Sequence, residues 1–301
     1  MPNLIAATYA PLQSNGTLQL NGIEYYTKYL THNRIKGVFV NGSTGDFVSL
    51  SIQERKELLT AWHQNKPNGF QIINHVGHTS LPLAQELAAH SIGKADAISA
   101  LAPYYYPITN NNLLIQYCKS IAEAAPELPF YYYHIPVLSK IQIDIVAFMK
   151  RAKTEIPNFA GLKFTENNLM GFTHCLHNST DNQNIMFGVD EMFLPSLGSG
   201  AHSWVGSTYN QIAPLYQAIA NSFTVGQHQK AASLQQKAIR FVEILVAYGS
   251  FLGVAKGLLD YLGLPLGPSR FPHTNLTTNV YSKIMRTLEN EGIAPYLGNL
   301  P

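Results

Sequence analysis

Residues 37–54 read Gly37-Val-Phe-Val-Asn41-Gly-Ser-Thr-Gly45-Asp-Phe-Val-Ser-Leu-Ser51-Ile-Gln-Glu54. A short apolar run rich in β-branched and aromatic residues stops at a Gly- and Ser-bearing loop. The spacing Ser51-x-x-Glu54 is a capping box, in which the serine side chain and the glutamate satisfy free amides at a helix start. The stretch therefore predicts one strand–loop–helix unit.

The same alternation recurs along the chain. Strands are expected at 4–8, 37–41, 71–76, 97–102, 129–133, 160–164, 185–189 and 203–206, with amphipathic helices at 22–32, 51–64, 80–91, 112–125, 142–153, 168–177, 191–197 and 212–221. Eight βα alternations fit a closed α/β (β/α)8 barrel better than an open sheet. No dinucleotide fingerprint follows the first strand. Beyond residue 224 the pattern is helical, at 226–248, 254–262 and 275–291. The expected organisation is a barrel over residues 1–224 and a helical extension of the same domain over 225–301.

Composition limits the function classes. Charged residues make up 13% of the 301, the net charge is +2, and the lysines and arginines form no basic stretch. Nucleic acid is thus an unlikely partner on charge alone. No basic leader and no run of about 18 apolar residues is present, which argues for a soluble cytoplasmic protein without a membrane partner. Cys118 and Cys175 are expected as free thiols. His174 and His177 flank Cys175 but lack further ligands at zinc spacing, and no metal site is expected.

In a (β/α)8 barrel the C-terminal strand ends face the active-site mouth, so each strand can be read for what it delivers there. The second delivers Gly42-Ser-Thr-Gly45, either a plain turn or a cradle in which amides and the Ser43 and Thr44 hydroxyls converge on a carboxylate. The fifth delivers Tyr131-Tyr-Tyr-His-Ile-Pro136. Alternation puts Tyr131 and Tyr133 on one face and Tyr132 on the other. Its end is either a set of packed aromatics or a place for Tyr133 to pass a proton.

The sixth strand, Phe159-Ala-Gly-Leu-Lys-Phe-Thr165, spends one position of an apolar run on a lysine. Lys163 is either a snorkelling cation or a desolvated amine able to attack a ketone, and Thr165 shares its face. The seventh delivers Gly188-Val-Asp-Glu191, whose carboxylates either complement a helix start or accept hydroxyls. The eighth places Ser207 at the mouth.

Together these motifs resemble the N-acetylneuraminate lyase branch of the dihydrodipicolinate synthase superfamily, class I aldolases on a (β/α)8 barrel. Gly42-Ser-Thr-Gly-Asp46 is similar to the family's carboxylate loop, Tyr131 to Pro136 to its tyrosine strand, and Gly161-Leu-Lys-Phe-Thr165 to its Schiff-base strand. Phe187-Gly-Val-Asp-Glu191, Val205-Gly-Ser-Thr-Tyr-Asn210 and, less specifically, the segment Leu264 to Arg270 extend the match.

The resemblance implies a carbon–carbon lyase that splits N-acetylneuraminate, a sialic acid, into pyruvate and N-acetylmannosamine. It implies no cofactor beyond a covalent Schiff base on Lys163. Tyr133 would relay a proton, Ser43 and Thr44 would hold the carboxylate, and Thr165, Gly188, Asp190, Glu191 and Ser207 would bind the polyhydroxylated tail. Tyr105, in Pro103-Tyr-Tyr-Tyr-Pro107, resembles a catalytic tyrosine lent to a neighbouring subunit, which implies a homotetramer.

The dihydrodipicolinate synthase branch carries an arginine where this chain has Leu138, and an apolar side chain cannot hold a second substrate's carboxylate. Another pyruvate-dependent keto-acid sugar aldolase and a catalytically silent sugar-acid binder are the alternatives. Three departures stand out: Asp46 where the family usually has Glu, Phe47 where a small residue is common, and Ala201-His-Ser-Trp204 in place of a Gly-rich stretch. Trp204, bulky and close in sequence to Ser207, is expected to narrow the sugar pocket or to shift the strand end.

Overall fold

The structure, a computed structural model, describes residues 1–301. Eight parallel strands close on themselves in sequence order: β1 (Asn3–Ala7), β2 (Gly37–Val40), β3 (Gln71–His75), β4 (Ala97–Leu101), β5 (Phe130–His134), β6 (Phe159–Phe164), β7 (Asn184–Phe187) and β8 (Ser203–Gly206). Closure is made by β1 pairing on both sides, with Ile5 opposite Gly37 and Val205.

Nine helices accompany the strands: α1 (Ile23–His32), α2 (Ile52–Gln64), α3 (Leu81–Ser91), α4 (Asn111–Ala122), α5 (Pro136–Ser139), α6 (Ile145–Glu155), α7 (Leu169–His177), α8 (Phe193–Gly198) and α9 (Tyr209–Thr224). The expected alternation is therefore present, and each expected strand overlaps an observed one. The boundaries move where a side chain caps the helix. Asp144 accepts from the Val146 and Ala147 amides, so α6 starts at Ile145 rather than at residue 142. α8 is preceded by a 3-10 turn, Asp190–Met192, and the single turn α5 has no counterpart in the expected pattern.

Strand alternation divides the apolar residues into two layers. Ile5, Phe39, Ile73, Leu101, Tyr131, Tyr133, Met186 and Val205 pack inside the barrel. Leu4, Val38, Ile72, Tyr132, Leu162 and Trp204 point outward into the shell between strands and helices. Each such side chain fully withdrawn from water contributes roughly 1.5–3 kcal/mol.

The C-terminal extension comprises α10 (His228–Val246), α11 (Phe251–Tyr261) and α12 (Thr278–Asn290). It buttresses the mouth. Gln235 of α10 donates to the Glu191 carbonyl at 3.0 Å and accepts from the Leu194 amide at 2.8 Å. Lys256 of α11, only 3% exposed, donates to the Pro268 carbonyl at 2.6 Å, and burial pulls its ammonium down to about 7. No single helix is long and apolar enough to cross a membrane.

At the start of α2 the capping box forms as the sequence implies. The Glu54 amide donates to Ser51 Oγ at 3.1 Å, and the Ser51 amide donates to Glu54 Oε2 at 2.8 Å. Arg270 then donates to both Glu54 oxygens and to the Ser49 and Gly16 carbonyls, tying the extension to the second βα loop. The Arg270 hydrogen bond holds the Glu54 carboxyl down to about 2.

A depressed carboxyl adds stability above its unfolded-state range and loses it as pH falls toward its folded value. Glu54→Gln is therefore expected to lower the thermal midpoint at neutral pH. The gap to the unaltered chain should close progressively below about pH 4.5, as thermal denaturation across a pH series would register. A gap that stays constant down to about pH 3 would contradict the linkage.

Candidate active site

The barrel register sets Tyr133 of β5 directly beside Lys163 of β6, because these two residues are Cα partners. Both lie on inward-facing positions near the C-terminal strand ends. The Lys163 Nζ sits 3.6 Å from the centroid of the Tyr133 ring and 4.6 Å from that of Phe39. The side chain is 4% exposed, and no carboxylate is paired with it. A snorkelling lysine would carry its head to water. This one keeps it over two aromatic faces inside the barrel.

The loop after β2 curls over the same space. Asn41 and Asp46, at φ 58° and 50°, are left-handed and turn the chain at either end of Gly42–Gly45. The Ser43 and Thr44 amides donate to no backbone carbonyl, which leaves them free for an anion. Ser43 Oγ lies 3.4 Å from the Tyr133 hydroxyl, linking the loop to the tyrosine. Ser43, Thr44, Tyr133 and Lys163 are thus brought to one end of the barrel.

The opposite side of the mouth is acidic. Asp190 is buried, and its Oδ2 accepts from the Thr208 amide at 2.9 Å and the Thr208 hydroxyl at 2.7 Å. Its Oδ1 has no partner, nor has the buried Thr165 Oγ1. Burial raises the Asp190 carboxyl, against the Thr208 hydrogen bonds and the Lys163 charge. Burial and then Asp190 raise that of Glu191.

Two glycines make the room these groups occupy. A Cβ on Gly188 would stand 2.2 Å from Thr165 Oγ1, and one on Gly206 would stand 1.8 Å from Asp190 Oδ1. Tyr105, by contrast, is not brought to the Lys163 site of its own chain. It lies on the loop after β4, 83% exposed, in a left-handed conformation at φ 83° and edge-on to Tyr106.

The three departures resolve individually. Trp204 is turned away from the pocket, which corrects the expectation that it narrows it. Its indole points outward from β8, donates to Ser196 Oγ at 2.8 Å and packs 4.8 Å from the Phe193 ring. Asp46 directs its carboxylate to Ser49 Oγ and lies 3.5 Å from His273 Nε2. Phe47 folds inward, edge-on to His75 at 4.6 Å and under the Arg55 guanidinium at 5.0 Å.

With Leu101, Tyr104, Leu138, Leu252 and Pro272, Phe47 lines an apolar recess of about 320 Å³ that opens beside Ser43. No motif in the sequence announces this wall. None announces a clamp across the strand ends either, in which His134 Nε2 lies 3.2 Å from Glu166 Oε2 and lowers that carboxyl. His174 and His177 are exposed, and nowhere do three His, Cys, Asp or Glu side chains gather to hold a metal. Both cysteines are free and buried.

With this geometry in view, the chain's relatives can be compared. Residues 1–291 match the model of the dihydrodipicolinate synthetase family. N-acetylneuraminate lyase A of Xenopus laevis is 40% identical over 276 residues, 90% of each chain. The human N-acetylneuraminate lyase is 37% identical over 90% of this chain and 87% of its own. The structure of Proteus mirabilis N-acetylneuraminate lyase superposes with a TM-score of 0.92 at 32% identity, covering 97% of this chain and 99% of that one. A catalytic lysine mutant of the Ruminococcus gnavus sialic acid aldolase superposes with a TM-score of 0.91 at 26% identity, covering 98% and 96%.

The position of Trp204 carries its own test. Trp204→Phe should lower stability by about 1–3 kcal/mol, through loss of the buried indole hydrogen bond and part of the packed area. Preference among substrates should not change. Calorimetry and a substrate panel measure the two effects, and a shifted preference would place the indole in the pocket after all.

Proposed function

The chain belongs to the dihydrodipicolinate synthetase family, and on that premise we propose that it is an N-acetylneuraminate lyase, cleaving the sugar acid to pyruvate and N-acetylmannosamine through a Schiff base on Lys163. One observation carries the reading. The barrel holds a single amine over the Tyr133 ring, with the Tyr133 hydroxyl turned toward Ser43 on a loop whose amides are free. The kinship to lyases at 34–40% identity over most of the chain supports the same substrate.

The Lys163 amine, once it has given up its proton, attacks the C2 ketone of the open-chain sugar acid, and loss of water gives the iminium. The C1 carboxylate rests on the Ser43 and Thr44 amides and hydroxyls. Tyr133 accepts the proton from the C4 hydroxyl while its own phenolic proton passes by way of Ser43 to the C1 carboxylate, as the C3–C4 bond breaks and the bonding pair moves into the iminium to give an enamine. N-acetylmannosamine leaves as the aldehyde. Protonation of the enamine at C3 and hydrolysis by water then release pyruvate and the free amine.

Thr165, Gly188, Asp190, Glu191 and Ser207 form the side that takes the hydroxylated tail. The unpartnered Asp190 Oδ1 and Thr165 Oγ1 are acceptors in search of such donors. No metal or other cofactor enters this scheme. Residues 1–224 act as the barrel and 225–301 as an extension of the same unit. The buried free thiols suit a reducing, cytoplasmic setting.

The exposed Tyr105–Tyr106 pair and the apolar recess beside Ser43 suit mutual docking of subunits, with Tyr105 completing a neighbour's site in a homotetramer. Analytical ultracentrifugation should then find a particle of four times the 33.3 kDa chain mass. A monomer at assay concentration would remove that part of the proposal.

The chemistry is tested by trapping. Incubation with pyruvate followed by borohydride should add one three-carbon adduct at Lys163, and Lys163→Ala should lose both the adduct and turnover. Tyr133→Phe should keep the adduct and lose roughly 10²- to 10⁴-fold in kcat, the usual scale of a proton-transfer term. An adduct that survives Lys163→Ala, or full turnover by Tyr133→Phe, would overturn these roles.

A further inference from the structure

β3, Gln71-Ile-Ile-Asn-His75, ends on a histidine. His75 is completely buried inside the barrel and touches no solvent. Both of its ring nitrogens are committed. Nδ1 lies 2.8 Å from the Asn41 carbonyl, which can only accept, so Nδ1 carries the proton. Nε2 accepts from the Leu101 amide at 3.3 Å, so it is bare.

These two bonds span the mouth. Asn41 is the left-handed residue that opens the Ser43–Thr44 loop, and Leu101 ends β4 opposite Tyr133. The ring itself stands edge-on to Tyr133 at 5.8 Å and to Phe47 at 4.6 Å. Arg55 holds the frame from behind. Its guanidinium donates to the His75 carbonyl at 2.7 Å and the Gly77 carbonyl at 3.2 Å, while its own carbonyl accepts from Asn41 Nδ2 at 3.0 Å.

We propose that His75 is a positioning residue for the lyase reaction: an Nδ1-protonated imidazole whose bond to Asn41 sets the carboxylate loop and whose ring sets the attitude of Tyr133. The proposal rests on the reading of Lys163 as the Schiff-base lysine. His75 forms no hydrogen bond with the Tyr133 hydroxyl or with Lys163, so it acts through its neighbours rather than on substrate.

The charged and titratable groups around it are Arg55, Lys163 and the phenol of Tyr133. Burial, then Arg55, and in lesser part Lys163 hold the imidazole far below its ordinary value, against the Asn41 bond. A second proton would have to enter at Nε2, where the Leu101 N–H already points. The ring therefore stays neutral through the working range, and the loop geometry does not titrate with it.

Two substitutions separate the two jobs. His75→Phe keeps an aromatic ring against Tyr133 and loses the Asn41 bond. His75→Asn places an amide N–H where Nδ1 stood and loses the ring. The pyruvate concentration for half-maximal borohydride adduct should rise about tenfold in His75→Phe and stay within about threefold in His75→Asn. The kcat for sugar-acid cleavage should fall about tenfold in His75→Asn and change less in His75→Phe.

Parallel losses of both parameters in both variants would mark a merely structural role and overturn the proposal. Nitrogen-15 NMR of the histidine-labelled, unsubstituted protein tests the geometry even where a variant fails to fold. His75 should show a protonated Nδ1 and a bare Nε2, unchanged from about pH 5.5 to 8. A protonated Nε2, or a titration inside that range, would overturn it. If the unsubstituted chain forms no pyruvate adduct at all, the lyase reading fails instead, and the NMR result still decides the tautomer.

Discussion

A lysine amine enclosed in an apolar barrel, over the ring faces of Tyr133 and Phe39 and without a carboxylate partner, is the constraint around which the mouth is arranged. Withdrawing a cationic side chain from water is costly unless it is paired. Asp190 reaches the lysine only through its field and forms no ion pair with it, and two further cationic side chains, Arg55 and Lys256, are also buried within reach of the same loops. The fold supports this only because the barrel is closed. With every strand paired on both sides, the interior is rigid enough to hold aromatic faces where an open sheet would admit water.

How far this could be read beforehand depended on the physical signal available. The βα alternation was legible because turns, caps and apolar runs have different periods, and the capping box at Ser51 and Glu54 formed as written. Lys163 was legible because an amine in an apolar strand is a conspicuous exception. The separation of Tyr131 and Tyr133 from Tyr132 onto opposite faces followed from strand alternation, and the structure shows the first pair to be the inward one.

The direction of Trp204 was not legible. A strand of a parallel barrel is buried on both faces, so its apolar residues carry no sign telling the inside from the helical shell. Once Val205 is seen to point inward, Trp204 must point outward to Ser196 and Phe193. His75 was overlooked for a different reason. Its commitment depends on the Asn41 carbonyl, at the start of a loop 34 residues away in the chain, and the Leu101 amide, at a strand end 26 residues away, so no local pattern could disclose it.

The mouth is asymmetric, and the asymmetry orders the chemistry. One side offers free amides, hydroxyls and the Lys163 amine, which suit an acid group next to a ketone. The other offers the Asp190 carboxylate, which accepts from hydroxyls and repels an acid group, with the unpartnered Thr165 hydroxyl beside it. A sugar acid can enter with its charge toward Ser43 and its hydroxyls toward Asp190, whereas the reverse orientation would set its carboxylate against Asp190 and Glu191. Under the proposed lyase reading, that polarity would bring the ketone to Lys163 and the C4 hydroxyl toward Tyr133, so the same arrangement that discriminates orientation would also select the bond to be broken.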